Sequence, residues 1–335
     1  MHVLTDELDQ IALPVSMADK GSVLTIGTFD GVHMGHQHLI RQLVAHARRV
    51  GCLAGLVTFY PHPSAILFPA NTPLYLTTPE EKAALLARLD LDWVAILPFQ
   101  HKLAATPPRD FIAHLYQQLN VRALWVGEDF AFGRDREGDI PTLQALGREM
   151  GFQVQVLPVV NNGDQKISSS RIRALIQGGQ VLEAARLLGR HYRIAGEVVH
   201  GAQRGRRLGF PTANVDIPPN RIIPAHGIYA TYACLGPEQY PSVTNVGVRP
   251  SFDNGHRTIE AHILGFEQDI YGRQLVIDFV AWLRPEQRFH DVKDLIAQID
   301  RDVAEAREIL GVRPSNTSPR IISIFRGEDA PETGA

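Results

Sequence analysis

Cysteine is scarce in this chain of 335 residues: Cys52 and Cys234 are the only two. They lie far apart, each inside an apolar run, where they read as small buried hydrophobes, and nothing indicates an oxidising compartment. Long hydrophobic runs are also missing, and none approaches the length of a membrane span. Neither sign of charge dominates. A net charge of −3 gives no reason to expect nonspecific nucleic-acid binding, although basic residues cluster at Arg204, Arg206 and Arg207 and leave a local anion site open. The stretch from Met1 to Lys20 is acidic and lacks the basic and apolar regions of a signal peptide. A soluble, cytoplasmic protein without nucleic-acid or membrane partners is expected, its oligomeric state left open. What is present is ordinary globular composition, 44% hydrophobic and 21% charged, over a length that suggests two domains.

The chain is organised around residues 22 to 40. Ser22 to Ile26 is a short β-branched apolar run, and Leu39, Ile40, Leu43, Val44 and Ala47 recur at helical spacing. Between them lie Gly27, Gly31 and Gly35, which allow left-handed or unusually close backbone. A helix N-terminus with unpaired amides and a positive dipole end takes anions, and His33 and His36 add donors at its mouth. The expected ligand is a polyphosphate. A zinc site is the competing reading of His33, His36 and His38. The i, i+4 pair with an intervening glutamate is absent, and no Cys or Asp/Glu cluster closes a tetrahedron. The spacing also fits neither a Walker loop nor a dinucleotide G-x-G-x-x-G turn.

Strand and helix signals then alternate. Cys52 to Phe59 reads as a buried strand running into Tyr60-Pro61-His62-Pro63, where two prolines hold His62 at a strand's carboxyl end. Thr78-Pro79-Glu80-Glu81 opens a helix reaching Leu89, Trp93 to Leu97 is a strand, and Pro108 to Leu119 is a helix. Ala123 to Gly127 and Val154 to Leu157 complete the strands, implying a doubly wound parallel sheet. Ser168, Ser169 and Ser170 precede Arg171 and Arg173 at a helix start, suited to capping it and also to donating to phosphate. For that segment alone an ordinary N-cap stands equally open.

After Val181 to Gly189, a short amphipathic helix stopped by glycine, the pattern changes to short strands separated by Gly, Pro and Asn. Arg193 to Val199, Tyr229 to Ala233, Ser242 to Val246, Ile259 to Ile263 and Leu275 to Phe279 predict a small antiparallel barrel, closed by a helix from Val292 to Leu310. The expected domains are 1–185 and 186–313, with a poorly ordered tail over 314–335. In the basic glycine loop from His200 to Asn214, Pro211 pins the backbone so that Thr212 and Asn214 present oxygens suited to Mg²⁺. In Thr258 to Ile263 the apolar residues alternate, so Glu260 and His262 share the other face.

Several of these stretches together resemble prokaryotic bifunctional riboflavin kinase/FAD synthetases. The resemblance lies in Gly27 to His36, Thr58 to Pro63, Val126 to Gly133 and Ile167 to Arg173 in the first half. In the second it lies in Gly201 to Asn214, Asn245 to Phe252, Glu260, Asp269 to Gly272 and Leu283 to Phe289. Ser170 and Ser251 stand where the family has Thr, and both keep the hydroxyl.

The resemblance implies ATP-dependent phosphorylation of riboflavin to FMN in the second half, and transfer of AMP from ATP to FMN in the first, giving FAD and pyrophosphate. It implies Glu260, His33 and His36 as catalytic residues. As nucleotide- and flavin-binding residues it implies Gly27, Phe29, Asp30, Gly31, Gly35, His62, Asp129, Ser168, Ser169 and Arg173 in the first half, and Gly201, Arg206, Gly209, Pro211, Asn245 and Arg288 in the second. Thr212 and Asn214 are implied as Mg²⁺ ligands. A kinase with a purely structural N-terminal half and a non-catalytic flavin-binding regulator are the alternatives; the intact histidine and Ser-Ser-Ser-x-Ile-Arg boxes speak against the former.

Overall fold

The structure is a computed structural model and describes residues 1–201, 205, 208–248, 257–312 and 320–321. The chain forms two compact units, Met1–Ile172 and Arg173–Ala335.

The first unit is built on six parallel strands: β1 (His2–Leu4), β2 (Ser22–Ile26), β3 (Leu53–Tyr60), β4 (Trp93–Pro98), β5 (Val121–Gly127) and β6 (Gln153–Leu157). Their order is β1-β4-β3-β2-β5-β6. Succession therefore runs outward from β2 through β3 to β4, then restarts on the other side of β2 with β5. That reversal makes the crevice beyond the carboxyl ends of β2 and β5 the topological switch point, where such sheets bind ligands.

The helices of this unit are α1 (Val15–Ala18), α2 (Met34–Arg49), α3 (Pro63–Leu67), α4 (Pro79–Ala87), α5 (His101–Ala104), α6 (Pro108–Leu119) and α7 (Ile140–Met150). Successive strand residues point to opposite faces, and two cores result. Val23, Leu56, Val94 and Ala123 meet Ile40 and Leu43 of α2 and Leu86 of α4 on one face. Leu24, Val57, Leu97 and Leu124 meet Phe111 and Leu115 of α6 and Leu143 of α7 on the other. The expected helix start at Thr78 is a full capping box, with Thr78 and Glu81 each accepting the other's backbone N–H. Helix α7 and strand β1 had no place in the sequence reading.

Register explains one glycine in the middle of a strand. Gly55 of β3 lies opposite Trp93 of β4, whose indole is fully buried, and a Cβ on Gly55 would stand 2.0 Å from that ring. Gly55→Ala is expected to destabilise the first unit by about 1–3 kcal/mol through overpacking, lowering its thermal transition by several degrees. An unchanged transition would show that the indole can move aside.

A short hairpin of β7 (Asn161–Asn162) and β8 (Gln165–Lys166) precedes α8 (Ser169–Gln177) and α9 (Val181–Leu188). The division at Ile172 comes earlier than the boundary expected near residue 185. Helix α9 turns Val181, Ala184, Leu187 and Leu188 inward and packs on barrel strands, so it groups with the second unit.

That unit contains β9 (Tyr192–Val199), β10 (Ala213–Val215), β11 (Gly227–Leu235), β12 (Glu238–Val248), β13 (Arg257–Ile263) and β14 (Gln274–Arg284). They follow the order β11-β14-β9-β10-β13-β12, and pairing of β12 with β11 closes an antiparallel barrel. Helix α10 (Val292–Ile309) covers it with Val303 and Ala306 against Ala230 and Val243, and a bidentate Arg284–Asp302 pair ties it to β14. The expected tail lies outside the described residues except for β15 (Arg320–Ile321), which pairs with Glu238 and Gln239.

Candidate active sites

In the first unit the loop between β2 and α2 is sharply folded. Gly31 has φ 80°, and Phe29 and Val32, residues that seldom take this region, have φ 48° and 40°. Such strain persists only where the surroundings enforce it. Here they do: the Asp30 carboxylate accepts N–H bonds from Leu76 and Thr77 and a hydroxyl bond from Thr77, all at 3.1 Å, and Gly31 N–H donates to Thr77 Oγ1 at 3.1 Å. Gly27 and Gly35 serve by close approach, since a Cβ would stand 3.0 Å from the Phe29 ring and 3.2 Å from the His33 ring, respectively.

His33 caps α2, its Nδ1 accepting the His36 N–H at 3.3 Å, which puts the proton of the neutral ring on Nε2. The two imidazoles stack 3.6 Å apart, and Phe29 meets His36 edge-on at 4.9 Å. Burial pushes the His36 pKa well below its ordinary value, with His33, Lys82 and Lys166 adding repulsion. His36 Nδ1 is itself buried and without a partner. The structure thus brings His33, His36 and the three glycines together at a helix N-terminus.

Ser169 joins them by donating to the Asp30 carbonyl at 2.9 Å, while Ser168 Oγ accepts the Arg171 N–H at 3.3 Å at the start of α8. Arg173 lies one turn beyond Ser169 on α8. His62 caps α3 by accepting the Ser64 N–H at 3.1 Å, and its own N–H donates to Tyr75 Oη at 2.8 Å. Tyr75 to Thr77 therefore link His62 to Asp30, a connection that local sequence spacing did not contain. Asp129, just after β5, forms an ion pair of 2.6 Å with Lys166, which holds its carboxyl below the usual range.

Lys82 is the other residue missed. Its signal was readable, since it stands three, four and seven positions before Leu85, Leu86 and Leu89, on the buried stripe of α4.

In the second unit, register places Asn214 of β10 and Asn245 of β12 on either side of Glu260 of β13. The three form one row across three strands. A Cβ at Gly201 would stand 2.3 Å from the Asn214 amide nitrogen, so the glycine makes room for that side chain. Asn245 Oδ1 is buried without a partner.

Burial of Ile259, Ala261 and Ile263 confirms the alternation expected around Glu260. His262 Nδ1 donates to the Pro211 carbonyl at 2.8 Å and thereby fixes the turn before Thr212. Thr212, Ala213, Ala261 and Tyr271 border a cavity of about 290 Å³ on the strand face opposite Glu260. Gly209 holds φ 86°, and Arg288 is exposed after β14. Arg206 lies outside the described residues.

Residues 15–171 match the family model for FAD synthetase and residues 188–310 that for riboflavin kinase. The bifunctional riboflavin kinase/FMN adenylyltransferase of Escherichia coli K12 is 38% identical over 88% of this chain and 94% of its own. The chain belongs to the bifunctional riboflavin kinase/FMN adenylyltransferase family. A counterpart in Bacillus subtilis is 36% identical over 85% of this chain and 91% of its own. A crystal structure described as a macrolide-efflux protein from Streptococcus pneumoniae superposes with TM-score 0.84 at 30% identity, covering 92% of this chain and 99% of that one. The enzyme carries both activities in the order expected: its second domain phosphorylates riboflavin to FMN with ATP, and its first adenylylates FMN to FAD. Among the described residues no helix is long and apolar enough to cross a membrane.

Proposed function

We propose that the two steps use separate sites, one per unit, at the residues gathered above. The observation that carries this is where each unit gathers its chemistry-bearing residues: His33, His36 and Ser169 around the strained loop after β2, and Asn214, Glu260 and Asn245 in one row across the barrel.

In the second unit Glu260 takes the proton from the riboflavin 5′-hydroxyl as its oxygen attacks the γ-phosphorus of ATP, and ADP leaves. The row of Asn214, Glu260 and Asn245 suits the acceptor hydroxyl and the γ-phosphate it attacks. A hydroxyl, an amide oxygen and a carboxylate make a hard oxygen donor set, and Thr212 and Asn214 would hold Mg²⁺ there. When bound, that ion supplies neutralisation of phosphate charge.

In the first unit an FMN phosphate oxygen attacks the α-phosphorus of a second ATP and pyrophosphate leaves. His33, His36 and Ser169 stabilise the phosphate charge, with no covalent enzyme intermediate.

Incubation with riboflavin, ATP and Mg²⁺, with products separated over time, should show FMN preceding FAD and pyrophosphate accompanying FAD alone. Chelation should stop both steps. Undiminished turnover with excess chelator would overturn the metal assignment.

A further inference from the structure

Lys82 sits at the floor of the glycine–histidine loop, only 6% exposed. Its ammonium donates to the Thr28 carbonyl at 3.1 Å, to Thr58 Oγ1 at 2.9 Å and to the Phe59 carbonyl at 3.3 Å. Thr58 in turn donates to the Thr28 carbonyl at 2.9 Å. These bonds join the backbone leaving β2 to the end of β3, along one margin of the switch-point crevice. All three acceptors are neutral. The carboxylate whose charge favours the buried cation is that of Asp30, on the same loop, so Lys82 is tied to the loop electrostatically as well as by hydrogen bonds.

We propose that Lys82 is a positioning residue for adenylyl transfer, which fixes the loop carrying His33 and His36 and adds its positive field to the site of the bound triphosphate. This rests on reading that loop as the nucleotide site. The three protons of the ammonium are already engaged, so Lys82 acts through the loop and through its field rather than by touching phosphate. The field reaches the site, because Lys82 is one of the charges that depress the His36 pKa.

The groups around it are consistent with that assignment. Asp30, on the loop, opposes the loss of its proton. His36 of α2 adds no positive charge near neutrality. Its backbone and hydroxyl partners on β3 are neutral, and its helix neighbour Glu81 is turned to the Thr78 N–H. Burial brings the Lys82 pKa down to about 8.

The free enzyme's value governs kcat/KM, and the complex's value governs kcat. For FAD formation from FMN, kcat/KM for ATP should therefore fall above about pH 8, while kcat at saturating ATP holds to higher pH because the bound triphosphate retains the proton. Lys82→Met should lower kcat/KM for ATP by roughly 100-fold, mostly through KM, and flatten the profile. Lys82→Arg should recover most of the activity without the alkaline limb, since guanidinium stays charged. An unchanged thermal transition of the first unit reports that the variant is folded there. A wild-type profile flat beyond pH 9, or a Lys82→Met enzyme with wild-type KM for ATP, would overturn the proposal. If Lys82→Met fails to fold, the wild-type and Lys82→Arg profiles decide it alone. Should His36→Ala also leave FAD formation intact, the nucleotide-site reading itself would fail.

Discussion

Replacing Glu260 by glutamine should remove riboflavin phosphorylation by about 10²–10⁴-fold and leave FAD formation from supplied FMN within about twofold. The substitution keeps shape and hydrogen bonding but removes the group that accepts the hydroxyl proton. Its backbone sits mid-ladder between Asn214 and Asn245, and those main-chain bonds survive, so the barrel should persist. Flavin chromatography of two parallel reactions, one started from riboflavin and one from FMN, separates the steps. Loss of both in a folded protein would contradict the division into two sites. Loss of neither would remove Glu260 from the mechanism.

Much of the first half of the fold was legible because β2, β3 and β4 are nearly continuous apolar runs and its helices carry strong starts, such as the Thr78 capping box and the Pro108 helix. The alternation around Glu260 was legible for the same reason, since one strand face is buried and the other is not. Less legible were features fixed by partners distant in sequence. Strand β10 is three residues long, and its strand character comes from pairing with β9 and β13. The Asp30 carboxylate stood within the recognised loop motif, yet it is engaged by amides 46 and 47 residues away. Asp129 was expected to position a ligand, and its pairing with Lys166 depends on a hairpin 37 residues on. Lys82 differs from these, since its place on an apolar stripe was visible and only its three acceptors were not.

Replacing His36 by alanine should produce the reverse split, with FAD formation falling by about 10²–10³-fold, the cost of removing one preorganised donor to developing phosphate charge. FMN formation should continue. His36→Asn should keep part of the activity, because an amide still offers N–H donors. Stability should move differently. His36 has a buried Nδ1 without a partner and a pKa pushed well below the ordinary histidine value. A base whose folded pKa is depressed takes up a proton in the unfolded chain first, so it lowers stability as pH falls below the unfolded value of about 6.5. The alanine variant lacks that liability and should lose less stability between pH 7 and 5 than the wild type, as read from the thermal transition of the first unit. A residue that is unfavourable for folding and needed for turnover is what a preorganised anion site requires. An alanine variant that lost activity and stability together at every pH would instead mark His36 as a packing residue, and the charge on the triphosphate would then have to be met by His33 and Ser169.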